Sequence, residues 1–155
     1  MKTFGLLPSA LIGAVASARS MTPMATIAIA RLAGRAAPGR LVLLDQPLFE
    51  FGALFMGVGE LLGDKMKSAP DRTVPLGLLA RVMSAGIAGA ALAPRGREKA
   101  GAAIAVATAV SLAYLTLAGR KRAMARVGQT RSGLIEDALV VAGAAAVVVL
   151  STRRR

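Results

Sequence analysis

The sequence predicts an all-α, polytopic transmembrane bundle of five to six helices, some of them short or broken, with an internal repeat as a further expectation. Three observations carry this. Hydrophobic residues make up 55% of a 155-residue chain, more than a soluble fold of this size needs for its core. Charged residues fall in short clusters separated by uncharged runs such as Ala100 to Gly119 and Ala138 to Leu150. The first of these runs matches the roughly 20 apolar residues that cross about 30 Å of hydrocarbon. One integral membrane domain over residues 1–155 follows.

The N-terminal MKTFGLLPSALIGAVASA pairs a basic start with a short apolar core. Its Ala16-Ser17-Ala18 imitates a small-residue cleavage site, so a signal peptide is one reading. The apolar pattern resumes directly after Arg19, which favours two short helices over about Phe4 to Ala18 and Thr22 to Ala33, or one long helix kinked near Pro23. Thr22 is then the expected N-cap, with Pro23 at the first helical position. Gly34 to Pro47 carries Arg35, Pro38, Gly39 and Arg40 and reads as a loop or interfacial stretch.

The central helix is expected over Pro47 to Asp64, with a Gly59-x-x-x-Gly63 spacing that lets membrane helices approach closely. After a turn from Lys65 to Thr73, Pro75 opens a helix to about Ala93 that places Arg81 two turns inside. Arg95 to Lys99 forms a short basic loop, and Ala100 to Gly119 a span. Gly119 to Arg131 is expected as a basic connector. The last helix runs from about Gly133 to Leu150, with Glu136 and Asp137 in its first turn. If residues 4–33 form one kinked span, the basic residues outside the spans divide evenly between the two sides, so the positive-inside rule sets no orientation. An offset of 62 relates Ala18 to Thr22 (ARSMT) with Ala80 to Ser84 (ARVMS), and Gly34-Arg35 with Gly96-Arg97. Repeats of this kind occur in transporters.

The net charge of +12 falls beside apolar runs, and Tyr114 with four Phe offers little for base stacking. Loop arginines near anionic lipid headgroups explain the charge better than nucleic acid does. With no cysteine and no histidine, thiol chemistry, disulfides and the usual zinc ligands are excluded, and no cofactor or metal is expected. Chemistry then rests on carboxylates, Lys, Arg and hydroxyls.

Glu60 and Asp64 lie four apart on one helical face, with Glu60 about 5 Å in from the helix end. Glu50 lies about 21 Å from Asp64 along the axis, towards the opposite interface. A charge at the bilayer centre costs about 3 kcal/mol on insertion scales, so Glu60 needs a partner, for which Arg19 and Arg81 are the candidates. The plainer reading makes these residues helix-end charges and interhelical ion pairs, with Ser20, Thr22, Thr73 and Ser84 capping or bridging helices.

RSMTP (Arg19 to Pro23), ELLGDK (Glu60 to Lys65), APDRTVPLGLLARVMSAGIAGAAL (Ala69 to Leu92) and LIEDA (Leu134 to Ala138) resemble an uncharacterised family of small bacterial integral membrane proteins, catalogued as a domain of unknown function. The chain matches its motifs at Arg19, Ser20, Pro23, Glu60, Asp64, Lys65, Pro70, Arg72, Thr73, Pro75, Arg81, Ser84, Glu136 and Asp137. Asp71 and Val74 depart from it. The resemblance implies a multi-pass protein of the bacterial inner membrane and argues against cleavage at Ala18, which would sever the first motif. It implies no activity.

The candidate substrate or ion-pair site is therefore Arg19, Ser20, Glu60, Asp64, Lys65, Arg72, Arg81, Glu136 and Asp137. The leading expectation is a small-solute or ion transporter or channel-like protein, in the lipid bilayer and with a homo-oligomer left open. The alternative is a structural or accessory membrane protein. A third reading, an enzyme on lipid phosphates with Glu60, Asp64 and Asp71 around a divalent ion, lacks a recognisable ligand spacing.

Overall fold

The computed structural model describes residues 5–63, 75–127 and 129–154 and is an all-α bundle of six helices among them. They are α1 (Leu7–Ala18), α2 (Thr22–Leu32), α3 (Pro47–Gly63), α4 (Pro75–Leu92), α5 (Glu98–Val127) and α6 (Gln129–Ser151). A 3-10 turn at Val42–Asp45 precedes α3. Two short strands, β1 (Arg35–Ala36) and β2 (Arg153–Arg154), pair antiparallel. The turn Lys65 to Thr73 lies outside the described residues.

Contacts along the helices fix their directions. Ser9 of α1 donates from Oγ to the Gly89 carbonyl of α4 (2.8 Å), while Arg81 of α4 reaches the Ser17 carbonyl, so α1 and α4 run antiparallel. Arg31 pairs with Glu50, and Ser20 with Glu60, which makes α2 and α3 antiparallel. Arg19 meets Asp137 and Arg35 meets Thr152, so α2 and α6 run parallel. The loop after α2 closes the argument: the Gly39 N–H donates to the Ala91 carbonyl (2.8 Å), and the Arg40 N–H to Glu98 (3.3 Å). The start of α1, the end of α4, the start of α5 and the loop after α2 therefore share one side of the bundle.

It follows that α1 enters from that side and α2 returns to it. The first two helices form a hairpin with its tip at Arg19 to Met21, not the single kinked span that the even division of charges assumed. The two short helices expected from the sequence are present, but their relative direction is opposite to a span. The physical reason is that both helices are anchored at their outer ends, α1 through Ser9 and α2 through the loop held on Ala91 and Glu98.

Small residues set the packing. A Cβ placed on Gly13 would lie 2.3 Å from the Ala105 carbonyl oxygen, and Gly89 and Gly101 are equally close across α4 and α5. Ala85, Ala88, Ala105 and Ala109 are fully buried with Ile12 and Ala16. By contrast, Gly59 makes no close approach among the described residues: nothing lies within 4 Å of a Cβ there, and it is Gly57 that meets Ala25 of α2.

Two boundaries differ from expectation. Gly119 to Arg131, expected as a connector, is helical in its described residues: α5 runs on to Val127 and α6 begins at Gln129. Gly119 to Val127 contains no proline and mostly good helix formers, so the helix continues where hydrophobicity stops. Glu136 and Asp137 consequently lie about two turns inside α6, not in its first turn. Among the described residues, only α5 over Glu98–Leu115 is long and apolar enough to cross a membrane; α1, Gly77–Leu92 and Asp137–Ser151 are shorter apolar helices.

Candidate functional site

The hairpin tip exists because Pro23 has no N–H and its ring excludes the Arg19 carbonyl, four residues earlier, from a continuous helix. Arg19 turns extended (φ −136°, ψ 116°), and α2 restarts at Thr22 with Pro23 in its first turn. Two helix ends now face each other, each with unsatisfied backbone groups. At the end of α1 the Arg19 N–H bonds back to the Val15 carbonyl, but the start of α2 has no side-chain cap of its own. Thr22, expected to cap, is instead the first helical residue, and the N-cap position is held by Met21, whose side chain has no acceptor suited to the task.

The caps come from other helices. Glu60 of α3 accepts from the Ser20 N–H (2.7 Å) and the Ser20 hydroxyl (2.5 Å) on Oε1, and from the Met21 N–H (2.8 Å) on Oε2. A carboxylate at the positive end of α2 is also favoured by the helix dipole. At the other terminus Arg81 of α4 donates from Nε to the Ser17 carbonyl of α1 (3.2 Å) and from Nη1 to its own Gly77 carbonyl (3.1 Å). A guanidinium suits the negative end of α1 for the same reason.

Arg19 completes the tip. It is 2% exposed, and its Nη2 forms an ion pair and hydrogen bond with Oδ1 of Asp137, itself 14% exposed. Ser84, one turn after Arg81 on α4, is fully buried, and its hydroxyl has no hydrogen-bond partner among the described residues.

The structure thus brings together Arg19, Ser20, Glu60, Arg81 and Asp137 from the tip, α3, α4 and α6. Glu60 bonds, among the described residues, to Ser20 and Met21 and not to Arg19 or Arg81, the partners the sequence suggested. The unpaired N–H groups of a broken helix compete for a carboxylate as strongly as a guanidinium does, and Asp137 takes Arg19. Asp64, Lys65 and Arg72 lie outside the described residues, as does the side chain of Glu136.

A second charged cluster lies about 15 Å away along α3. Arg31 at the end of α2 pairs with Asp45 (2.5 Å) and Glu50 (3.0 Å), the first exposed only on the Asp45 side. Arg35 donates to the Thr152 hydroxyl (2.8 Å) and to the Val149 and Thr152 carbonyls (2.6 and 3.0 Å), capping the C-terminus of α6. Sequence reasoning missed Arg35, the Ser17 carbonyl and the Met21 N–H. Pro23 signalled the break that created the last two, whereas nothing local marks Arg35.

Chemically, the tip holds two acids in different settings. Asp137 neutralises a permanent cation, and Glu60 is held by neutral donors. No group of three acidic side chains suited to a metal ion occurs among the described residues. Comparison with protein-family models, with curated proteins and with solved structures finds no match, so the family resemblance rests on its motifs alone.

Proposed function

We propose that this chain is a multi-pass protein of the bacterial inner membrane, a member of the uncharacterised family its motifs resemble, and that it acts as a small-solute or ion transporter or channel-like protein. The observation that carries the activity is the broken helix pair, whose facing termini are capped by charged side chains from α3 and α4. Discontinuous helices with charged groups at their ends line solute sites within membrane bundles. In this reading α3 to α6 span the bilayer and α1 with α2 form a re-entrant hairpin, with the basic loops at anionic headgroups.

Apolar exposure supports the membrane assignment. Leu48, Phe55, Leu115, Leu139 and Leu150 are all exposed, Phe55 to 82%, and water would penalise so much apolar surface. Lipid accepts it without cost. An internal repeat is supported at two positions: Arg19 and Arg81 are both buried, and Gly34 and Gly96 both take left-handed φ values (+74° and +81°) after α2 and α4. The helices part company at Pro23, whose counterpart is Ala85, so α4 continues where the hairpin turns.

The second reading, a structural or accessory membrane protein, is favoured by the closure of the charges within the chain, Arg19 on Asp137 and Glu60 on the tip. One experiment separates the two. Thermal unfolding of the purified protein is followed in detergent with chloride, phosphate, sulfate and acetate, for wild type, Arg81→Ala and Glu60→Gln. A ligand at a hundredfold excess over its Kd stabilises by about 2.7 kcal/mol. The transport reading expects one anion class to raise the wild-type Tm and to lose that effect in Arg81→Ala. If no anion shifts the wild type while Glu60→Gln melts far lower, the structural reading replaces it.

A further inference from the structure

We propose that this chain pairs with a second copy of itself through the outward face of α3, the two helices running parallel. The pairing rests on the bilayer assignment made above and on no part of the transport reading.

The argument starts from how α3 divides its residues. It packs chiefly against α2, and Ala53, Gly57 and Glu60 form its inward side. Both of its charged side chains are engaged within the molecule, Glu50 by Arg31 and Glu60 by the hairpin tip. With 3.6 residues per turn, Leu48, Phe51, Phe55, Val58 and Leu62 fall on the opposite side, where they are between 55% and 85% exposed. That face carries no charge and no hydrogen-bonding side chain, so it suits neither a polar nor a charged partner.

The spacing of these five residues is three and four in alternation, the repeat by which two helices interlock side chains along a shared seam. The ridge ends at Leu62, beside the headgroups. Together the five side chains offer roughly 600 Å² per copy, or about 1,200 Å² for a pair, which reaches the range of stable protein interfaces. Area alone does not join helices in lipid, whose tails are as apolar as leucine; close fit does.

Gly52 and Gly59 supply the hollows for that fit. Gly52 lies four after Leu48 and three before Phe55, and Gly59 four after Phe55 and three before Leu62, so each adjoins two ridge residues on the helix surface. Nothing among the described residues lies within 4 Å of a Cβ at either position. A glycine inside a helix costs about 0.5–1 kcal/mol relative to alanine, and a face left to lipid gains nothing in return. A second copy does gain, because its Phe55 ring can enter the hollow beside either glycine. Copies inserted in one sense are related by a twofold axis along the membrane normal, which sets the two α3 helices parallel and each ridge residue near its own counterpart.

The test is disulfide crosslinking of the full chain in proteoliposomes, using single cysteines in a sequence that has none. Phe51→Cys, Phe55→Cys and Val58→Cys are oxidised with copper phenanthroline, beside the inward Ala53→Cys and the exposed Leu115→Cys and Leu139→Cys on α5 and α6. The three α3 ridge positions should give covalent dimers whose yield withstands tenfold dilution with lipid, and the other three should not. Adding Gly59→Leu to Phe55→Cys fills the hollow and should lower the yield at least tenfold, whereas Gly59→Ala keeps the hollow and should preserve it. Thermal unfolding checks that the leucine variant is folded; if it is not, the pattern of crosslinked positions decides alone. Equal yields at α3, α5 and α6 that fall on dilution overturn the inference, since lipid then covers the face, and so does crosslinking confined to Leu115 or Leu139 or an unchanged yield in folded Gly59→Leu. Alkaline carbonate extraction of the same vesicles separates the two readings. A chain that stays in the membrane but crosslinks without preference overturns the dimer and leaves the bilayer assignment standing, whereas one that is extracted yet crosslinks only along the α3 ridge upholds the dimer and removes the bilayer assignment.

Discussion

Arg19 shows how much a single side chain decides here. At 2% exposure its guanidinium is affordable only with a counter-charge, and Asp137 supplies that from 118 residues away. Removing one partner of such a pair is the damaging change, because the other charge stays buried. Asp137→Asn is therefore expected to lower unfolding stability by about 3–5 kcal/mol, measured by denaturant or thermal unfolding in detergent. Adding Arg19→Gln to it should recover a large part of that loss, and a double-mutant cycle would read the coupling directly. Simple additivity of the two losses would show that the pair is not coupled.

Among the elements, the helices owe their close approach to residues without bulk. The contact of α1 with α5 leaves no room at Gly13, where an added methyl group meets a backbone carbonyl that cannot move aside. Gly13→Ala should cost about 1–3 kcal/mol by overpacking. Gly59 makes the useful contrast, since a methyl group there meets nothing. Gly59→Ala should be neutral or should stabilise α3 by about 0.5–1 kcal/mol through helix propensity alone. Equal losses at the two positions, read as Tm or as the denaturant midpoint, would mean that the exposed face of α3 is covered by a partner, such as a second copy of the chain.

For the whole molecule, the arrangement of helices makes a topological prediction. Single cysteines can be introduced into a chain that has none, so labelling is free of background. Leu7→Cys, Val42→Cys and Arg95→Cys should all react with an impermeant thiol reagent from the same side of a sealed vesicle, and Leu62→Cys, near the end of α3, from the other. A single kinked span over the first 33 residues would instead put Leu7 opposite Val42. That outcome would refute the hairpin.

The helices themselves were legible in the sequence because hydrophobic runs, prolines and charge clusters are local signals. Pro23 marked the break after Ala18, and Pro47 and Pro75 open α3 and α4 where expected. The sequence was weaker where apolar character and helicity part company: α5 keeps turning through Gly119 to Val127, since backbone hydrogen bonds there are made locally whatever the side chains prefer. Among the candidate site residues, Arg19, Ser20, Glu60, Arg81 and Asp137 could be singled out as polar groups flanked by apolar neighbours, but not their pairing. Whether α2 carries on from α1 or turns back, and whether Glu60 meets a guanidinium or a helix end, depends on contacts between residues 40 to 118 positions apart. No periodicity encodes such distances. What the sequence by itself determined was a bundle of apolar helices with a break at Pro23 and acids that need partners; only the tertiary structure decided that the break is the tip of a hairpin and that α3, α4 and α6 supply its caps and counter-charge, because unsatisfied backbone groups are claimed by whichever polar side chains packing brings within reach.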